Sequence, residues 1–121
     1  MKRAYTITFE GKTILYLDFS GLRTEQDIAS VINEGVAYIR SQPPCSVLTL
    51  SNVGAMHFNN QVKDMFIDFT KGNKEYMKAS AVVGIEGFKQ IVYNGVMMFA
   101  GRDIKSFTNA EEAKKWLIEK E

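Results

Sequence analysis

The chain has 121 residues, 45% of them hydrophobic and 24% charged, which suits one soluble globular domain able to bury a core without metals or disulfides. Lys and Arg number 15 against 14 Asp and Glu, a net charge of +1 that supplies no drive toward nucleic acid or an anionic membrane surface. The one cysteine, Cys45, cannot close an intramolecular disulfide and has no companion at metal-ligand spacing, so a reducing compartment is expected.

Met1-Lys2-Arg3 is basic, but an alternating pattern follows it and not the apolar run of a signal peptide. No apolar stretch approaches the length of a membrane span. The expectation is a complete cytoplasmic protein forming a single domain over residues 1–121.

Tyr5, Ile7 and Phe9 alternate with Thr6 and Thr8, as in a half-buried strand. Glu10-Gly11-Lys12 turns the chain, and residues 13–19 return as a second strand, making an antiparallel hairpin. Asp18, Ser20 and Gly21 close it. Thr24-x-x-Asp27 has the form of a capping box, and the helix it opens places Ile28, Val31, Ile32, Gly35, Val36 and Ile39 on one face. Pro43-Pro44 prevents its continuation.

Residues 46–52 (Ser-Val-Leu-Thr-Leu-Ser-Asn) form a short apolar run, the pattern of a strand buried on both faces at the middle of a sheet. A loop follows, and from Asn59-Asn60 a second helix carries Val62, Met65, Phe66 and Phe69 inward until Gly72-Asn73. Residues 79–84 are the next strand. Beyond Gly84-Ile85-Glu86-Gly87, a helix places Phe88, Ile91, Val92, Gly95, Val96 and Phe99 on one face, repeating the spacing of the first helix, glycine included. A glycine inside a helix costs about 1 kcal/mol relative to alanine, so both helices are expected to lie close against the sheet. Residues 104–107 read as a short edge strand, and Thr108-x-x-Glu111 as the capping box of a last helix with Ala110, Ala113, Trp116 and Leu117 inward and a Glu111–Lys115 pair outside. The order β-β-α-β-α-β-α-β-α predicts an α/β fold with a mainly parallel sheet of about five strands, an N-terminal antiparallel hairpin and helices on both faces.

Several phrases along this order, "ILYLDFSGL", "YIRSQPPCSVLTLSNV", "KASAVVGIEGFKQIVYNGVMMFAGRDIKSF" and "EEAKKWL", make the chain resemble the bacterial SpoIIAA-like (STAS-type) proteins of unassigned function. The resemblance covers Ile14 to Leu117. It implies a SpoIIAA-like fold, shared in architecture with the STAS domains of anti-sigma factor antagonists and sulphate transporters and with the lipid-binding lobe of CRAL-TRIO proteins. Those relatives are mostly binding and regulatory modules. The antagonists carry a phosphorylated serine in an Asp-Ser-Ser/Ala-Gly motif. By position that motif falls on His57-Phe58-Asn59-Asn60, which holds no hydroxyl, so the phosphorylation switch does not carry over.

Three loops, 18–22, 51–58 and 84–87, leave the carboxyl ends of the strands and are expected to meet on one rim. They gather Asp18, Ser20, Ser51, Asn52, His57, Asn59, Asn60 and Glu86 as candidate ligand- or partner-binding residues. Helix N-termini there would offer N–H groups to an anion, while the same Asp, Ser and Asn residues are also the ordinary caps and turns of strand-to-helix loops. His57 is the one histidine. No Gly-x-Ser-x-Gly elbow, His-Glu-x-x-His or Cys-His arrangement accompanies it, and no dinucleotide or Walker fingerprint is present. No cofactor or metal is expected, and the carboxylate pair Asp18 and Glu86 lacks the further ligands a metal needs.

The helix over 88–99 is apolar most of the way round, with Tyr93, Met97 and Met98 beside its inward face as candidate partner or lipid contacts. Two readings follow, neither of them enzymatic: a STAS-like regulatory or interaction module that binds a protein partner or itself, or a small-molecule or lipid-binding protein that uses the rim loops. A third, a hydrolase or transferase with His57 as base, would need a serine or water within hydrogen-bond reach of the ring.

Overall fold

A computed structural model describes residues 3–85 and 104–120. The elements are β1 (Ala4–Phe9), β2 (Lys12–Asp18), α1 (Glu25–Ile39), β3 (Val47–Asn52), α2 (Asn60–Gly72), a 3-10 turn (Lys74–Tyr76), β4 (Met77–Val83), β5 (Ile104–Phe107) and α3 (Ala110–Ile118). The strands form one sheet in the order β1-β2-β3-β4-β5, with β1 and β2 antiparallel and the remaining neighbours parallel. The α/β class, the N-terminal hairpin and the helices on both faces are as the sequence predicts. Glu86, Tyr93, Met97, Met98 and the helix expected over 88–99 lie outside the described residues.

The hairpin follows from its turn. Glu10 and Gly11 both have positive φ, 48° and 82°, the handedness that a two-residue hairpin loop needs, and the pairing Phe9↔Lys12 back to Ala4↔Leu17 runs unbroken. Alternation then sends Leu15 and Leu17 to one face of the sheet and Ile14 and Tyr16 to the other. The first face is covered by Ile28, Val31, Ile32 and Ile39 of α1 and Val62 of α2, the second by Ala113 and Leu117 of α3.

Strand β3 lies at the centre with its first four residues buried. Leu48 and Leu50 face α3, while Val47 and Thr49 face α1 and α2. Thr49 would be an orphaned polar group there, but its hydroxyl donates to Ser80 Oγ on β4 at 2.8 Å, and the register places the two residues side by side. The inward glycine of α1 is a genuine close approach: a Cβ on Gly35 would stand 2.9 Å from Leu17 Cδ2.

Three local expectations are corrected. Strand β4 begins at Met77, two residues before the small-residue run, because Met77 pairs with Val47 across a register irregularity. The cap of α3 is Asn109, whose Oδ1 accepts from Glu112 N at 2.8 Å, and not Thr108. Glu111 pairs with Lys114 at 3.5 Å, and not with Lys115, because Lys114 lies back over the Phe9 ring. The cap of α1 is as expected, with Thr24 Oγ1 accepting from Asp27 N at 3.1 Å.

Because Leu50 is fully buried at the middle of the sheet, Leu50→Ala is expected to cost about 2–5 kcal/mol of unfolding free energy. Urea denaturation checks this, with exposed Thr8→Ala expected to change stability by less than about 0.5 kcal/mol.

Candidate functional site

The β2–α1 and β3–α2 loops are laced together by main-chain bonds. Phe19 N donates to Asn52 O at 2.9 Å, Gly21 N to Gly54 O at 2.9 Å and His57 N to Leu22 O at 2.7 Å. Each loop also anchors itself in the core, the first through Phe19 and Leu22 and the second through Val53 and Met56. The Phe19 ring meets Phe66 of α2 edge-on, with centroids 5.0 Å apart. The third loop joins at Gly84, which has φ 90°; a Cβ there would fall 2.6 Å from Gly54 N. The three strand ends therefore share one rim.

The candidate side chains on that rim fall into two groups, because consecutive residues at the end of a strand point to opposite faces. Toward α3, Asn52 Nδ2 donates to Tyr16 Oη at 3.2 Å and Asn52 Oδ1 accepts from Gly54 N at 3.0 Å. Asp18 Oδ1 accepts from Ser20 N at 3.0 Å and from Ser20 Oγ at 2.5 Å. Arg3 closes this group, donating to Ser20 O at 3.0 Å with its Nη1 3.7 Å from Asp18 Oδ2. Tyr5 stacks at a tilt on Tyr16, centroids 5.3 Å apart, and its hydroxyl is held above the ordinary value of 10.0 by desolvation first and by Tyr16 and Asp18 after it.

Toward α1 and α2, beside half-buried Ser51, the second group centres on Asn59. Its Oδ1 caps α2 by accepting from Val62 N at 2.9 Å, so its amide nitrogen is left to face outward from the cap. That nitrogen donates to Glu25 Oε1 at 2.8 Å and lies 3.2 Å from His57 Nε2. Since the amide nitrogen is a donor only, Nε2 is the acceptor and the neutral ring carries its proton on Nδ1. His57 Nε2 and Glu25 Oε1 are 3.6 Å apart, and both side chains are about one-third exposed. Asn60 stands next to this group as the first residue of α2.

Glu25 is held below its ordinary carboxylate value of 4.5, first by the Asn59 amide, then by its own main-chain N–H, with His57 adding to these and desolvation opposing them. A cluster of ionisable groups joins the first turns of α1 and α2, and Asn59 is its hinge. Arg3, Tyr5, Tyr16 and Glu25 were not among the residues singled out from the sequence. Tyr5 opposite Tyr16 follows from a two-residue turn at Glu10-Gly11, but Glu25 beside Asn59 depends on how two helices sit side by side. Among the described residues there is no group of three potential metal ligands, and no helix is long and apolar enough to cross a membrane.

A downward-shifted carboxylate stabilises the folded chain above its unfolded value, and the contribution fades as pH falls through the lower folded value. Stability is therefore expected to drop on acidification below the ordinary 4.5, with a smaller drop in Glu25→Gln, read by urea denaturation across a pH series. In Asn59→Ser, which keeps a capping oxygen and removes the amide, the Glu25 carboxyl titration followed by NMR is expected to move upward. Gly84→Ala, strained by both φ and the Gly54 backbone, is expected to lose about 1–3 kcal/mol. Gly72→Ala, whose Cβ would meet only Arg40 Nη2 at 3.8 Å, is the harmless control. The chain matches no family model, no curated protein and no solved structure, so its functional reading rests on the geometry of the rim.

Proposed function

We propose that this domain is a non-enzymatic, STAS-like interaction module of the bacterial cytoplasm that binds a protein partner at the rim formed by the β2–α1 and β3–α2 loops. The observation that carries this reading is the lacing of those loops by Phe19 N to Asn52 O, Gly21 N to Gly54 O and His57 N to Leu22 O. A surface fixed before the encounter loses little conformational freedom on binding, so more of its contact energy appears as affinity. The rim presents Glu25 and His57 partly exposed at the adjacent first turns of two helices, a polar feature held in place by Asn59. The polar atoms of Asp18, Asn52 and Asn59 position backbone and neighbouring side chains, work that suits a shaped recognition surface.

The small-molecule or lipid-binding reading has its own observation, though not at the rim. An open groove of about 320 Å³ runs between α1 and α2, with Ile32, Val36, Met65 and Phe69 along it and Arg40 and Asp68 at its border. It lies toward the carboxyl ends of both helices, where Arg40 Nη2 donates to Gly72 O at 3.3 Å. A copurifying amphiphile seen by native mass spectrometry, lost in Met65→Glu and kept in His57→Ala, would favour this reading over the rim.

The rim is tested by placing a photo-crosslinking residue at position 57 and, separately, at exposed Lys115 on α3, in cells that make the protein. Adducts are expected from position 57 only, and added wild-type protein is expected to compete them away. Equal adducts from both positions, or none from position 57, would overturn the proposal.

A further inference from the structure

The outer edge of β1 carries an inference of its own. In the sheet order β1 is a terminal strand, with β2 on one side and no strand on the other among the described residues. The bond from Asp18 N to Arg3 O, 2.8 Å, sets the phase of the hairpin ladder. Residues an even number of steps from Arg3, namely Tyr5, Ile7 and Phe9, turn their main-chain groups toward β2, and Ala4, Thr6 and Thr8 turn theirs away. Ala4 N is satisfied by Glu34 Oε1 at 3.2 Å, and Thr6 and Thr8 are exposed.

Exposed edges are ordinarily protected by charge, proline or a bulge. Strand β1 has none of these: Ala-Tyr-Thr-Ile-Thr-Phe is uncharged, rich in residues that favour strands, and paired with β2 without irregularity. Its side chains on the α3 face are Tyr5, Ile7 and Phe9. Tyr5, at 44% exposure, is the large hydrophobic residue left most open to water among the described residues.

We infer that β1 pairs antiparallel with β1 of a second copy of this chain, joining the two sheets into one. The strand is self-complementary in one register. With Ile7 on the two-fold axis, Thr6 of each copy faces Thr8 of the other, and each such pair exchanges both N–H···O bonds from the outward-turned groups. Tyr5 then faces Phe9 across the junction, which continues the apolar strip of the α3 face from one copy to the other. A register centred on Thr6 would instead place Ala4 opposite Thr8 within the ladder, where Ala4 N is already taken by Glu34 Oε1; centred on Ile7, Ala4 meets only Glu10 of the hairpin turn, beyond the end of the strand. The outward main-chain groups of Thr6 and Thr8 take no part in the lacing of the rim loops, so a failure here leaves the rim reading standing.

Thr8→Pro tests the pairing directly, because Thr8 N takes no part in the β1–β2 ladder and its loss removes an outward donor alone. Sedimentation velocity over a concentration series is expected to show wild-type dimer, and Thr8→Pro at the mass of a single chain with an unchanged circular dichroism spectrum. In a Cys45→Ser background, Ile7→Cys is expected to form a disulfide-linked dimer under mild oxidation, and Glu112→Cys on the exposed face of α3 is not. This second measurement decides the matter if Thr8→Pro does not fold. A wild-type protein that stays monomeric throughout the series, a dimer that persists in folded Thr8→Pro, or Ile7→Cys linking no faster than Glu112→Cys would overturn the inference.

Discussion

Strand β3 is buried on both faces, and most of this molecule is a response to that constraint. Leu48 and Leu50 on one side and Val47 on the other each require an apolar cover. Strands that are neighbours in both sequence and space, joined by crossovers of one hand, bring α1 and α2 to the same face. The opposite face is left to the chain's last helix. α3 fills it with Ala113 and Leu117, while Phe107 and Trp116 pack beside them with ring centroids 5.7 Å apart. The price of a doubly covered strand is that any polar side chain in it needs a partner in the sheet, and Thr49 finds Ser80.

The same alternation explains why the rim residues divide. Ser51 and Asn52 are adjacent in the chain and therefore belong to opposite faces. Asn52 joins Tyr16, and through the hairpin register Tyr5, on the α3 side. His57, Glu25 and Asn59 gather where α1 and α2 begin. One rim thus carries two polar groups separated by the thickness of the sheet, joined through backbone and not through side chains.

How legible this was in the sequence depended on the range of the interaction. The hairpin, the doubly buried strand, the cap at Thr24 and the start of α2 at Asn59-Asn60 are local, and the structure has them where the residue patterns put them. The cap at Asn109 was less legible because Thr108 and Asn109 are both good capping residues, and the choice turns on which one the helix axis leaves in reach of Glu112 N. Lys114 in place of Lys115 is the same kind of ambiguity. Both spacings are helical neighbours of Glu111, and the aromatic ring of Phe9, distant in sequence, tips the balance. That the β2–α1 and β3–α2 loops stand side by side follows from the element order, but the Glu25–Asn59 bond spans 34 positions and needs two helix N-termini at a particular separation. No periodicity encodes that.

Topology also decides where recognition can happen. In open α/β sheets a binding crevice opens where the strand order reverses and the helices leaving adjacent strands diverge to opposite faces. Here the described strands run in sequential order without reversal, so their carboxyl-end loops stand in a row and close on one another, Gly21 on Gly54 and Gly54 against Gly84. Close packing of that kind builds one surface from the β2–α1 and β3–α2 loops. Among the described residues an open groove lies between α1 and α2 toward their carboxyl ends, where Arg40 Nε donates to Asn73 Oδ1 at 3.3 Å. A sequential sheet also ends in strands with one open side, and β1 is the one whose edge carries no charge to repel a second strand. The rim, the groove between α1 and α2 and the edge of β1 are thus three separate consequences of one sequential strand order.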